Sequence, residues 1–226
     1  MKLLAIDAAT ESCSAAVLNG EIVCEREALD ARSQSARLLP MVDAVLAEAG
    51  LRLRDLDALV VGRGPGSFTG VRLAVGVAQG LAYGASLPVI PVSDLAMLAQ
   101  GAAGPSDYER FVACLDARMD EVYWASFRRG PDGLVVAVDV ERLSAPDDVV
   151  PGTEAPFVGV GPGFSRYESL RVRLAPSLVA LEPGRLPHAR DALALARPLW
   201  LAGQVLAPER VLPVYLRDEV ATRSRR

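Results

Sequence analysis

The chain has 226 residues, 51% of them apolar, which is enough to fill one large or two small domains and excludes a disordered polypeptide. Its 24 basic and 28 acidic residues leave a net charge of −4, which excludes a general attraction for nucleic acid, so any RNA contact must be local or made through a partner.

Leu3 to Ile6 reads as a buried strand, Ser14 to Leu18 as a second and Glu21 to Glu25 as a third, with Asn19-Gly20 as a two-residue type I′ hairpin turn. Asp7 ends the first apolar run too early for a signal peptide, and no charge-free stretch is long enough to span a membrane. Cys13, Cys24 and Cys114 form no C-x-x-C pair, which argues against a zinc site or a disulfide framework and places the chain in a reducing cytoplasm. From Ser35 the pattern is helical: Leu38, Leu39, Met41, Val42, Val45, Leu46 and Ala49 recur at three- and four-residue spacings up to a C-capping Gly50. Pro40 must sit in the first turn or bend this helix. The stripe is wider than one sheet contact requires, so it either covers a partner as well or is fully buried.

Leu59 to Val61 reads as a strand leading into Gly62-Arg63-Gly64-Pro65-Gly66-Ser67-Phe68-Thr69-Gly70, after which Val71 to Tyr83 is helical, with Ser67 or Thr69 able to cap it. Strand, glycine loop and helix is the arrangement of an anion site. The spelling fits neither common motif. Val71-Arg72 stands where a Walker loop needs Lys-Ser/Thr, and Gly64, Gly66 and Gly70 give G-x-G-x-x-x-G, one residue longer than the dinucleotide fingerprint. Spacing alone leaves a structural turn and a ligand loop both open. Gly76, Gly80 and Gly84 put a smooth face on the helix, for close approach of another backbone, either a partner's or that of its own sheet. Leu87 to Val92 is a further strand, and Ser93 caps a short helix to Gln100. The breaker-rich Gly101 to Ser106 is the expected boundary between two lobes, 1–104 and 105–226.

The second half repeats the first. Phe111 to Asp116, Glu121 to Phe127 and Leu134 to Leu143 read as strands, the last two joined by the turn at 130–133, and Phe157 to Val160 runs into Gly161-Pro162-Gly163-Phe164, echoing Leu59 to Phe68. The last helix is expected over Ala189 to Ala202, closed by Gly203. Arg217, Arg223, Arg225 and Arg226 read as a frayed, solvated tail.

The run Gly62 to Arg72, together with Ala5-Ile6-Asp7 and Thr10-Glu11-Ser12-Cys13-Ser14, Asp116-Ala117-Arg118-Met119 with Glu121-Val122-Tyr123-Trp124, and Pro213-Val214-Tyr215-Leu216-Arg217, resembles the TsaB (YeaZ) family along most of the chain. That family is the partner subunit of the bacterial machinery that places threonylcarbamoyl on adenosine 37 of tRNA. The resemblance implies an α/β, duplicated actin-like, Hsp70 and sugar-kinase fold of two lobes, with the terminal segment packing back on the first. It implies a phosphate hairpin at Asp7, Thr10 and Ser12, whose hydroxyls could equally satisfy their own backbone. It also implies a structural loop at Gly62, Gly64, Gly66, Thr69 and Gly70, and a partner interface at Leu38, Met41, Val42, Val45, Gly76 and Gly80. The partners it implies are a TsaD-type catalytic subunit, a TsaE-type ATPase, tRNA indirectly, and a second copy when the chain is alone.

The second hairpin, Asp116 to Glu121, has three acids and no glycine where the catalytic relative is glycine-rich, so it should be degenerate. His188 is the single histidine, whereas that relative holds its metal with two, and Gln34 takes the place of a histidine that many family members carry. There is no H-E-x-x-H, and any Ser-His or Cys-His pair would have to use His188. The expectation is therefore a non-catalytic assembly subunit with no required cofactor and at most weak nucleotide binding; the competing class is an ATP-using phosphotransferase or ATPase.

Overall fold

The computed structural model describes residues 1–30, 33–104, 107–152 and 155–217. Strands β1 (Lys2–Asp7), β2 (Ser12–Asn19), β3 (Ile22–Leu29), β4 (Ala58–Gly62) and β5 (Val89–Val92) form one sheet in the order β3-β2-β1-β4-β5. Strands β6 (Arg110–Arg118), β7 (Glu121–Arg129), β8 (Val135–Ala137), β10 (Phe157–Val160) and β11 (Leu178–Glu182) form a second in the order β11-β10-β6-β7-β8, with β9 (Arg142–Ser144) also on β7. In each sheet an antiparallel meander is followed by two strands parallel to its first strand. The repeat read from the sequence is thus a repeat of topology, and the fold is the duplicated actin-like α/β fold.

Helices α1 (Gln34–Glu48) and α2 (Phe68–Ala85) cover one face of the first sheet, with Leu38, Val42, Val45, Val71, Ala74 and Ala78 against Leu4, Ile6 and Val61. Its other face is closed by α3 (Asp94–Ala103) and α6 (Ala189–Leu201), through Met97, Ala189 and Leu193 on Leu3, Ala5 and Ile90. Helix α3 is shared: Leu95, Leu98 and Ala102 pack on Phe111, Ala113 and Val158 of the second sheet. The far face of that sheet is covered by α4 (Pro162–Arg166) and α5 (Glu168–Leu174), where Phe164 and Leu170 meet Trp124 and Phe157. The chain therefore returns to the first sheet at α6 after completing the second.

Several expectations change in detail. Asn19 pairs with Ile22, so the hairpin turn is Gly20-Glu21, and only Gly20 has positive φ, which is the type II′ pattern rather than type I′ at Asn19-Gly20. Leu134 to Leu143 is not one strand: β8 and β9 pair with separate stretches of β7, and the chain leaves the sheet between them. Pro40 lies in the middle of α1, on its exposed side, where water can satisfy the carbonyl its missing N–H leaves free. After Ala49, Gly50 at φ 66 donates to Ala47 O and Leu51 donates to Leu46 O, a Schellman close. Of the expected boundary, Gly101 to Ala103 belong to α3, while Pro105 and Ser106 lie outside the described residues, as do Arg223, Arg225 and Arg226.

Candidate functional site

Between the lobes lies a cleft of about 970 Å³, walled by the β1–β2 loop, the start of α2, the β6–β7 turn and the last described residues. The glycine loop forms one wall because the β1–β2 loop packs directly against it. A Cβ on Gly70 would collide with Ala8 O, one on Gly66 with Ala9 O, and one on Gly62 with the Asp7 carboxylate. Ser67 N donates to Ala9 O at 2.6 Å, and Ser67 Oγ, rather than Thr69, accepts the Gly70 amide as the cap of α2. Gly64 has φ 96. The glycines are there because two segments of backbone are pressed together. Thr69 stays exposed at the cleft edge.

The expected phosphate hairpin is turned inward. Asp7 is fully buried, and its Oδ1 accepts the Ala9 amide at 3.1 Å. Its carboxyl faces Asp94, also fully buried, whose Oδ2 accepts the Gly64 amide. Burial, then the charge of Asp7, push the Asp94 carboxyl well above the ordinary carboxylate range; burial also raises Asp7, against hydrogen bonds from Asp94 and Ala9 that lower it. Ser12 is buried and donates from Oγ to Glu27 Oε1 at 2.7 Å. Thr10 alone of the three lines the cleft, and its Oγ1 accepts the Ser12 amide at 3.2 Å. In this structure Asp7 and Ser12 serve as internal supports of the loop, away from the cleft. Gln34, buried at the start of α1, donates from Nε2 to Thr10 O and Ser12 O and so fixes the loop.

On the opposite wall lies the β6–β7 turn, with Asp116 to Met119 lining the cleft. Arg118, Met119 and Asp120 all have positive φ without being glycine. Asp116 is already satisfied: Oδ1 accepts Arg118 N at 2.9 Å and Tyr167 OH at 3.0 Å, and Oδ2 pairs with Arg118 at 3.0 Å. Of the acids in the two hairpins, Asp7 and Asp116 are engaged within the protein, while Glu11 lines the cleft.

Two residues that tie the lobes together were missed or misread in the sequence. Arg63 of the glycine loop makes a bidentate pair with Glu141, both bonds 3.1 Å. Arg217, read as part of a frayed tail, is only 17% exposed and pairs with Glu121 at 2.5 Å. Neither link has a sequence signal, because each joins residues far apart in the chain.

Among the described residues the single histidine meets a serine only through a shared carboxylate. His188, the N-cap residue of α6, lies with Nε2 3.0 Å from Glu27 Oε1, the same oxygen that takes the Ser12 hydroxyl. All three cysteines are buried; burial raises the Cys13 thiol to about 11 and pushes Cys114 higher. Among the described residues no group of three or more His, Cys, Asp or Glu side chains could hold a metal ion, and no helix is long and apolar enough to cross a membrane.

The expected interface residues divide. Leu38, Val42 and Val45 are buried in the first lobe's own core, and Met41 is half-buried against it, so of the two alternatives for this stripe, partner cover or burial, these four residues follow burial. Gly76 and Gly80 are exposed, and a Cβ on either would meet nothing within 4 Å. They do not face the sheet. Leu39, 46% exposed on α1, and Tyr83, 78% exposed on α2, extend the outward surface.

The chain is 42% identical over 226 residues to the protein named tRNA threonylcarbamoyladenosine biosynthesis protein TsaB of Escherichia coli (strain K12), an alignment that covers 98% of this chain and 96% of that one. The chain belongs to the TsaB family. A TsaB protein of Haemophilus influenzae is 40% identical over 97% of this chain and 95% of its own. The family model described as TsaD, tRNA N6-adenosine threonylcarbamoyltransferase, matches residues 27–150. Among solved structures, YeaZ from Pseudomonas aeruginosa superposes with a TM-score of 0.86 at 42% identity, covering 95% of this chain and 99% of that one. Another, described as an uncharacterized protein with similarity to peptidase YeaZ from Pseudomonas aeruginosa, gives 0.89 at 43% identity, covering 96% and 99%.

Proposed function

We propose that this protein acts in the biosynthesis of threonylcarbamoyladenosine on tRNA as a non-catalytic subunit that docks a TsaD-type transferase. The observation that carries the reading is the outward face of α2, where Gly76 and Gly80 present bare backbone with open space above them, beside the exposed Tyr83 and Leu39. Interior glycines in an exposed helix cost about 1 kcal/mol each relative to alanine, a cost that close approach of a partner helix offsets. A transferase subunit sharing this fold presents helices of the same kind, and a second copy of this chain can occupy the face when the transferase is absent. A TsaE-type ATPase and tRNA join through the assembled complex, in keeping with a net charge of −4 on this chain. Three free cysteines fit a cytoplasmic protein. The competing phosphotransferase reading draws no support from Asp7, which is spent on Asp94.

The test is Gly80→Leu. The variant should unfold at or above the wild-type temperature, because its side chain enters open space on a helix, yet fail to co-purify with the TsaD-type subunit and fail to self-associate on size exclusion. A variant that still binds overturns the interface, and unchanged tRNA modification in cells lacking the protein overturns the pathway assignment.

A further inference from the structure

Val211 to Arg217 forms a strap that begins on the first lobe and ends on the second. Gln79 Nε2 of α2 donates to Val211 O at 3.0 Å, and Val214 N donates to Arg63 O at 2.8 Å. Tyr215 then lies on the first turn of α2: its ring centroid is 5.6 Å from that of Phe68, and its hydroxyl accepts Arg72 Nε at 2.5 Å. The same guanidinium stacks 3.6 Å above the Phe68 ring. Two residues later Arg217 reaches the β6–β7 turn, donating to Ala117 O at 3.1 Å and Arg118 O at 3.4 Å and pairing with Glu121 at 2.5 Å.

The two ends of this strap differ in kind. At one end Arg72 is exposed and stands one helical turn before Gly76, on the stripe that continues to Gly80. At the other, Arg118, Met119 and Asp120 hold left-handed φ values of 63°, 54° and 56° without a glycine among them. Such a turn persists only where its surroundings over-determine it. Arg217 supplies that constraint: its Nη2 reaches two turn carbonyls and lies against the Glu121 carboxylate that follows them, while its Nη1 donates to Met119 Sδ at 3.5 Å.

We propose that the strap couples the exposed face of α2 to the β6–β7 turn at the cleft, so that a contact at Arg72 is read out in the conformation of Arg118 to Asp120. This rests on the intramolecular contacts alone and stands whether or not a transferase is the partner. Linkage makes it reciprocal: whatever fixes the turn also favours one placement of Arg72. The coupling passes through Arg72, the Tyr215 hydroxyl, two residues of backbone and the Arg217 guanidinium.

Nitrogen-15 relaxation on the full chain tests it. In the wild type the amides of 118–120 should have order parameters in the rigid range, about 0.85, falling below about 0.6 in Arg217→Ala. The deciding variant is Arg72→Ala, which touches neither the strap backbone nor the turn: the 118–120 amides should shift and lose order while those of β10 stay as in the wild type. Arg217→Lys, keeping one charged nitrogen for the turn but losing the second nitrogen on Met119, should fall between wild type and Arg217→Ala. Unchanged turn amides in Arg72→Ala overturn the coupling, even if Arg217→Ala loosens the turn, since Arg217 would then be a local clamp. Should Arg72→Ala perturb the whole lobe, Tyr215→Phe removes only the hydroxyl, and an unperturbed turn there overturns it equally.

Discussion

Asp7 and Asp94 meet as a wholly buried carboxyl pair beside Gly62, where a single Cβ would collide with both. Asp7 Oδ2 and Asp94 Oδ1 have no other partner, so a proton held by one carboxyl is what joins them. The folded state keeps that proton on Asp94 above the ordinary value of 3.8, whereas the unfolded state releases it there. Folding is therefore favoured at low pH by this pair, and the contribution is lost as pH rises from the ordinary value through the raised one, at about 1.4 kcal/mol per unit. Asp94→Asn keeps an oxygen for the Gly64 amide and gives Asp7 a permanent donor. Its urea midpoint should fall less than that of the wild type between about pH 5 and pH 8, with the variant the more stable at the upper end. Parallel curves would show that the pair does not share a proton.

The glycines of the loop and of α2 should respond in opposite directions. Gly70→Ala drives a methyl group into Ala8 O and should cost about 1–3 kcal/mol or more in chemical denaturation. Gly76→Ala and Gly80→Ala place the same group in open space on an exposed helix and should raise stability by about 0.5–1 kcal/mol each. A destabilised Gly80→Ala monomer would mean that this face is packed in solution.

The first sheet and the repeat were readable because they rest on local pattern: alternating or continuous apolar runs, Gly50 after α1, and Ser67 and Ser93 before α2 and α3. Elements without that pattern were not. β11 has half-buried residues throughout its inward side and follows α5 with no turn signal of glycine, and β8 and β9 are three residues each, too short for alternation to register. Within the site, the glycine loop was legible as a place of close approach, but what approaches it, the Ala8–Ala9 backbone, depends on β1 lying parallel beside β4. Asp94, in the first turn of α3 behind the Ser93 cap, carries no local signal that sets it apart. Its meeting with Asp7 follows only from the order β1-β4-β5, which carries α3 across the end of β1.

Arg63 and Glu141 cross between lobes with side chains 26% and 16% exposed and two parallel hydrogen bonds. Partial burial and the bidentate geometry place the pair above an exposed surface bridge. A double-mutant cycle with Arg63→Ala and Glu141→Ala, read by urea denaturation, should give a coupling of about 1 kcal/mol or more, shrinking with added salt. Additive single effects would remove this pair as an interlobe tie.

Gln34 is the clearest case of a side chain whose chemistry, not its volume, holds the β1–β2 loop. Its Nε2 donates to Thr10 O at 2.5 Å and Ser12 O at 3.2 Å, and the residue is only 7% exposed. Gln34→Leu preserves most of the bulk but leaves carbonyls without a donor, which should cost about 1–3 kcal/mol. Gln34→Glu separates shape from donation. The carboxylate has the same outline, cannot donate, and points its charge at two carbonyl oxygens, so it should cost more than leucine at neutral pH. Its folded pKa would be raised by that unfavourable contact, so the penalty should be smallest near about pH 4, where the protonated acid regains one donor, and should grow as pH rises. Urea midpoints of the two variants at acidic and neutral pH decide the matter. Equal, pH-independent losses would mean that Gln34 acts by packing alone, whereas a glutamate variant that recovers on acidification identifies the amide hydrogen bonds as what pins Thr10 and Ser12 in place.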